Sequence, residues 1–362
     1  MIELKKDAVE VLEKDFYEII EGIKKPDMKA AKEMQKRLDE KIKPIRSLGV
    51  LEDIAVQLAG AYRTSYPKIK GKAVLLMAGD HGVVAEGVSA APQEVTAQLF
   101  SSYSHSGGIN VLSNHAGAKV ICTDIGMCSP VSADNPPKYR IKNGTDNMAQ
   151  GPAMSRKEAL LAFLTGAKIA QDAIDSGANL LATGEVGIGN TTPSTALITV
   201  FTGCKVEEAS GSGTGLKADA LINKHNIIKK ALELNKPDLS DPIDVMAKVG
   251  GLEIAANVGA ILQAAYQNVP TILDGIISSA AALVAYNLNP IVKDYLISSH
   301  CSEEKGSLIA LKEMGLEPRL FLNMRLGEGT GAALMFPIVE AALKIADEMA
   351  TFENAGVSTG DF

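Results

Sequence analysis

Apolar residues follow two rhythms along the chain. Up to Leu58 they recur at helical spacing: Val9, Leu12, Phe16, Ile19 and Ile20 form one stripe, and Met34, Leu38 and Ile42 another. Charged residues fill the intervening positions, with Pro26 and Pro44 as punctuation, which predicts a helical subdomain. From Lys72 the rhythm changes. Short apolar runs at 73–78, 119–123, 179–182, 269–273 and 295–297 read as strands, and stretches such as 157–175, 217–234 and 252–266 read as helices between them. Strands alternating with helices predict an α/β fold whose parallel sheet is covered on both faces.

The acidic residues sharpen that picture. Asp80, Asp124, Glu185 and Asp274 all stand at or just past the carboxyl ends of predicted strands. In open α/β sheets the ligand crevice lies outside those ends. Each acid alone suits a turn or helix cap; four on one rim point to a site.

Glycine-rich turns surround them. In Ala182-Thr-Gly-Glu185-Val-Gly187-Ile-Gly189-Asn190-Thr191-Thr192-Pro193 a strand feeds a turn that directs N–H groups and small hydroxyls at an anion. Thr192 fits an N-cap and Pro193 the first helical position. The spacing matches neither a Walker A loop nor the Gly-x-Gly-x-x-Gly dinucleotide fingerprint. A second cluster, Gly211-Ser212-Gly213-Thr214-Gly215, precedes a helix with Lys217 and Lys224 on one face, a spacing that by itself describes two solvated lysines. Asp80-His81 has no second ligand pair, so it reads as a turn aspartate beside a packed histidine, and no metal is expected. Gly107-Gly108-Ile109-Asn110 reads as a close backbone approach entering a helix. Glu328 stands between Gly327 and Gly329, just ahead of an apolar-rich helical stretch. A buried carboxylate at a helix mouth is a candidate base; a solvated one merely favours the helix dipole.

Composition narrows the function classes. The 362 residues are 46% hydrophobic and 22% charged, the make-up of a soluble globular enzyme. A net charge of −7 argues against a dedicated nucleic-acid binder, and 4% aromatic residues leave no stacking platform for bases. No apolar run approaches the ~20 residues of a membrane span, and the first residues lack the apolar run of a signal peptide. The scattered Cys122, Cys128, Cys204 and Cys301 read as reduced thiols of a cytoplasmic protein. Cys301 adjoins His300, but neighbours in sequence rarely face each other.

Ten ordered segments between Met77 and Ser358 resemble one family, the nicotinate-nucleotide–dimethylbenzimidazole phosphoribosyltransferases: AGDHGVVAEGVS, PQEVTAQ, GGINVL, GTDNMAQGPAMSR, ATGEVGIGNTTPS, GTGL, DPIDVMAKVGGLEIA, DGIISSAAAL, MRLGEGTGAAL and EMATFENAGVS. The resemblance implies a doubly wound, Rossmann-like α/β domain at 61–330 and a smaller helical domain from the chain ends, 1–60 and 331–362. It implies transfer of phosphoribose from nicotinate mononucleotide to 5,6-dimethylbenzimidazole or a related base, without a cofactor or metal, by a homodimer or a pair of homologous subunits. Glu328 falls on the family's catalytic base. Glu185, Gly187, Gly189, Asn190, Thr191, Thr192, Lys224, Asp274, Gly275 and Ser302 fall on nucleotide- and phosphate-binding segments. Asp80, Ser89, Ala91, Gln98 and Leu326 fall in the base-pocket region. Ala91 and Ser104-His105-Ser106 depart from the family pattern, so azole and phenol acceptors both stay open. A non-catalytic partner subunit would keep the fold but lose Glu328 or the Glu185 turn; both are present.

Overall fold

The computed structural model describes residues 8–103, 106–129, 138–211, 213 and 215–358. Ser104 and His105, and Ser212 and Thr214 of the second glycine cluster, lie outside the described residues.

Three helices, α1 (Val9–Gly22), α2 (Met28–Asp39) and α3 (Val50–Ala61), precede the first strand, β1 (Lys72–Gly79). There follow α4 (Val95–Ser102), α5 (Gly108–His115), β2 (Lys119–Gly126), α6 (Arg156–Asp175), β3 (Leu180–Val186) and α7 (Thr191–Thr202). Next come α8 (Val206–Ala209), α9 (Ala218–Asn235), α10 (Pro242–Val249), α11 (Leu252–Tyr266), β4 (Thr271–Leu273), α12 (Ile276–Leu288) and β5 (Leu296–Ser298). The described chain closes with α13 (Lys305–Glu313), α14 (Thr330–Glu348) and α15 (Phe352–Ala355). The expected strands and helices all form, with ends shifted by a few residues.

The five strands are parallel in the order β2-β1-β3-β4-β5. The chain runs from β1 to one edge and then returns to the other side of β1, so the topological switch point lies between β1 and β3. Alternation along β1 divides the interior. Ala73, Leu75 and Met77 join the core beneath α6 and α11, whereas Val74, Leu76 and Ala78 join the core beneath α14 and α3. The fold is therefore a doubly wound α/β sheet.

The helices before β1 take different faces. Phe16 of α1 stacks on Phe163 of α6, ring centroids 4.7 Å apart. Helices α2 and α3 instead pack with α14. There Arg37 bonds Asp347 at 2.9 Å and Lys41 Nζ donates to the Met349 carbonyl at 2.7 Å. Small residues permit close helix contact: a Cβ on Gly166 of α6 or Gly259 of α11 would stand 1.7 Å from a carbonyl oxygen of the other helix. This anchors α11 beneath the carboxyl ends of β1 and β3, where the site forms.

Candidate active site

The turn before α14 is the most constrained backbone in the site. Gly327, Glu328 and Gly329 have φ of 83°, 64° and 87° in succession. A glutamate in the left-handed region costs about 1–2 kcal/mol, so the surroundings must hold it there. A Cβ on Gly327 would lie 2.6 Å from Glu185 Oε1, and one on Gly329 would lie 2.9 Å from Val74, which explains both glycines. Asp274, just past β4, accepts the N–H groups of Gly329, Gly331 and Ala332 at 3.0, 2.8 and 3.1 Å. This carboxylate from a distant strand caps α14, whose own N-cap residue has no side chain. Glu185 Oε1 accepts the Glu328 N–H at 3.3 Å, and Thr330 Oγ1 donates back to the Gly327 carbonyl at 2.7 Å.

So held, Glu328 lines a cavity of about 350 Å³ outside the strand ends. Its carboxylate faces the start of α5, where Gly108 leaves room for it. Burial raises its pKa, opposed by the Tyr103 hydroxyl and the Ile109 N–H and reinforced by the charge of Asp274. The Glu328 carboxylate and the buried Tyr103 hydroxyl are neighbours, each shifting the other's pKa. The ring of Tyr103 lies against Gly107, where a Cβ would come within 2.3 Å of it. The expected close backbone approach at Gly107-Gly108 is thus present.

Glu185 is fully buried beneath this turn. Burial, then the charges of Asp274 and Glu253, push its pKa up to about 8, although Asn190 donates to its Oε2. Burial and these charges thus favour its protonated form. His81 is the packed histidine expected, hydrogen-bonded through Nε2 to Glu253 Oε1 at 2.8 Å.

The other end of the cavity is built by the β3–α7 turn and Gly213. Helix α7 starts at Thr191, not after Thr192: Asn190 already has αR backbone and serves as N-cap, and Pro193 is third in the helix. Proline is tolerated there because first-turn N–H groups have no partner within the helix. Lys217 is the exposed N-cap of α9 and shares no role with Lys224. Lys224 is fully buried and donates from Nζ to Thr191 Oγ1 at 2.8 Å. Burial pushes its pKa down to about 8. Spacing alone had suggested a solvated lysine; α7 packing over α9 removes it from water.

Of the residues expected in the site, Glu328, Glu185, Gly187, Asn190, Thr191, Gly275, Ser302 and Leu326 line the cavity. Lys224 and Asp274 stand directly behind that wall, as do Gly189 and Thr192 in the same turn. Asp80, Ser89, Ala91 and Gln98 do not reach it. Asp80 instead holds Thr96 Oγ1 at 2.6 Å and the Cys128 N–H at 2.7 Å, tying α4 to the sheet. Ser89 Oγ accepts the Ala91 N–H within the preceding loop, and Gln98 is exposed. One position further along α4, Leu99 faces the cavity together with Tyr103, a helical i, i+4 pair. Asp124 pairs with Arg140 at 2.6 Å at the rim.

Sequence reasoning missed Tyr103, His300 and Glu304, which also line the cavity. His300 accompanies Ser299 Oγ at 3.1 Å, with Asp274 at 3.9 Å, and leaves no room for a side chain at Gly331. The Leu99–Tyr103 spacing was the available signal for the first. Among the described residues no His, Cys, Asp and Glu cluster has the form of a metal site, and no helix is long and apolar enough to cross a membrane.

The parallel strand order with a cavity outside the strand ends is the arrangement of a ligand-binding α/β protein, and comparison gives the class: a phosphoribosyltransferase family model matches residues 23–357. A nicotinate-nucleotide–dimethylbenzimidazole phosphoribosyltransferase of Desulforamulus reducens is 50% identical over 95% of this chain and 99% of its own length. That of Clostridium acetobutylicum is 47% identical over 94% and 97%. The crystal structure of CobT from Thermus thermophilus matches with a TM-score of 0.87 at 39% identity, covering 92% of this chain and all of that one. The chain belongs to the nicotinate-nucleotide–dimethylbenzimidazole phosphoribosyltransferase family.

Proposed function

We propose that the protein transfers phosphoribose from nicotinate mononucleotide to 5,6-dimethylbenzimidazole or a related lower-ligand base, releasing nicotinate and an α-ribazole 5′-phosphate, with Glu328 as general base. The observation that carries this reading is Glu328 itself: an acid held in a left-handed turn, half-buried, on the wall of the cavity. Family membership supports the substrate pair.

One ring nitrogen of the azole attacks C1′ while the C1′–nitrogen bond to nicotinate breaks, and that electron pair returns to the pyridine ring. Attack from the face opposite the leaving group inverts the anomeric carbon. The proton on the azole's other nitrogen passes to Glu328. The positively charged pyridine is already a good leaving group, so this chemistry needs no metal. Lys224, Thr191 and the N–H groups of the Glu185–Asn190 turn suit the phosphate end. We further propose a homodimer working in the cytoplasm.

The test incubates purified protein with nicotinate mononucleotide and a panel of azoles and phenols, followed by mass spectrometry. Nicotinate release with a new α-ribotide is expected, and the best acceptor identifies the pocket's preference. Folded protein that forms no product with any acceptor defeats the reading.

A further inference from the structure

Glu304 immediately precedes α13, and its side chain lines the phosphate end of the cavity. Oε1 accepts the Gly213 N–H at 2.9 Å. Oε2 is buried without a hydrogen-bond partner, pressed so closely on Gly211 that a Cβ there would stand 1.9 Å away. On the other side of this loop, Lys224 donates to Thr191 Oγ1 and, at 3.5 Å, to the Gly211 carbonyl. It forms no ion pair within 4.0 Å among the described residues. A buried carboxylate oxygen without a donor and a buried ammonium without a counter-ion are both costly. Here both lie against Gly211.

The charge of Glu304 opposes the effect of burial on Lys224 and is the group that acts in that direction. Helix α7 carries no ionisable residue. Helix α8 presents Glu207, which pairs with Lys229, and Glu208, which accepts the Lys205 N–H. Asp244 and Lys248 of α10 pair with each other, and Glu86 is bound by Asn147. On α9 itself, His225 feels Lys224 only as a like charge.

We propose that Glu304 is the positioning residue of the phosphate end: it holds Gly213 beside Lys224 and supplies the counter-charge that keeps this lysine cationic for a phosphate monoester. The proposal rests on reading this end as the phosphate site. Glu304→Gln keeps an oxygen for Gly213 and removes the charge; Glu304→Asp keeps the charge and shortens the reach.

Calorimetry of nicotinate mononucleotide binding across pH 6–10 separates the two roles. In the unaltered protein, affinity falls as pH rises through the Lys224 titration. Glu304→Gln is expected to move the midpoint of that loss down by about one pH unit, the order of one charge interaction across a buried site. The change in turnover should fall on KM for the nucleotide more than on kcat. Glu304→Asp should keep the original midpoint while weakening affinity several-fold at every pH. A Glu304→Gln midpoint equal to that of the unaltered protein overturns the proposal, as does a Glu304→Asp midpoint that shifts. Should Glu304→Gln not fold, the aspartate variant alone decides. Failure of the underlying reading looks different: Lys224→Met would then bind the nucleotide as well as the unaltered protein does.

Discussion

At one end of the cavity, Glu328, Glu185 and Asp274 crowd three carboxyl groups around the turn that opens α14; at the other, Glu304 is the acid that acts on Lys224 among the described residues. Burial opposes charge at both ends, with opposite chemical results. At the acid end, burial and mutual repulsion raise the pKa of both Glu185 and Glu328, favouring the form that holds a proton. At the end proposed for the phosphate, the same burial favours the neutral form of Lys224. A surplus of like charge helps build a base, whereas a buried cation needs a counter-charge to remain one.

The deepest cut into this comparison is Glu328→Gln. Turnover should fall about 100- to 10,000-fold, the usual worth of a positioned base, while nicotinate mononucleotide affinity by calorimetry stays within about twofold. Full retained activity removes Glu328 as the base. At the opposite end, Lys224→Met should weaken nucleotide affinity about 10- to 100-fold, the loss of a charged hydrogen bond, with a smaller change in kcat. Unchanged affinity would sink its phosphate role.

Asp274→Asn tests whether the acid end is held from outside. An amide NH₂ would be set against one of three helix N–H groups, at a cost of about 1–3 kcal/mol. Thermal denaturation should show a melting temperature lower by several degrees, and kcat should fall with the turn's geometry. An unaltered melting temperature would mean that the glycines alone hold the turn.

Glu185→Gln separates charge from shape. The folded-state pKa of Glu185, about 8, lies above its ordinary 4.5, so its protonated form favours the folded state. That stabilising contribution is complete below pH 4.5 and is lost as pH rises through about 8. The variant's melting temperature should therefore gain on that of the parent between about pH 5 and 9; a pH-independent difference contradicts the assignment. The smallest expected effect is that of Tyr103→Phe. The hydroxyl opposes the upward shift of Glu328, so its loss should move the acid limb of kcat/KM to higher pH. A limb that stays in place would leave Tyr103 as packing alone.

Much of this architecture was legible locally. Alternating apolar runs and amphipathic stretches predicted the parallel sheet, because side-chain period reports which face of an element meets the core. The acids past the strand ends and the glycines around Glu328 and Glu185 marked the rim, because only glycine allows such close approach. Ordered motif resemblance then identified the family without any distance being known. Distances decided the rest. Lys224 and Lys217 look equivalent in sequence, yet α7 buries one and leaves the other in water. Asp274 serves a helix 55 residues away, and Glu304 meets Gly213 across 91 residues. Asp80, one turn position past β1, looks like a site acid but is spent on Thr96 and Cys128. Sequence alone determined the fold class, the family and the identity of the candidate base, since these rest on local periodicity and short motifs. Which charges are desolvated, and which partner each one faces, were decided only by the tertiary structure, because burial and Coulomb interactions depend on separation in space and not along the chain.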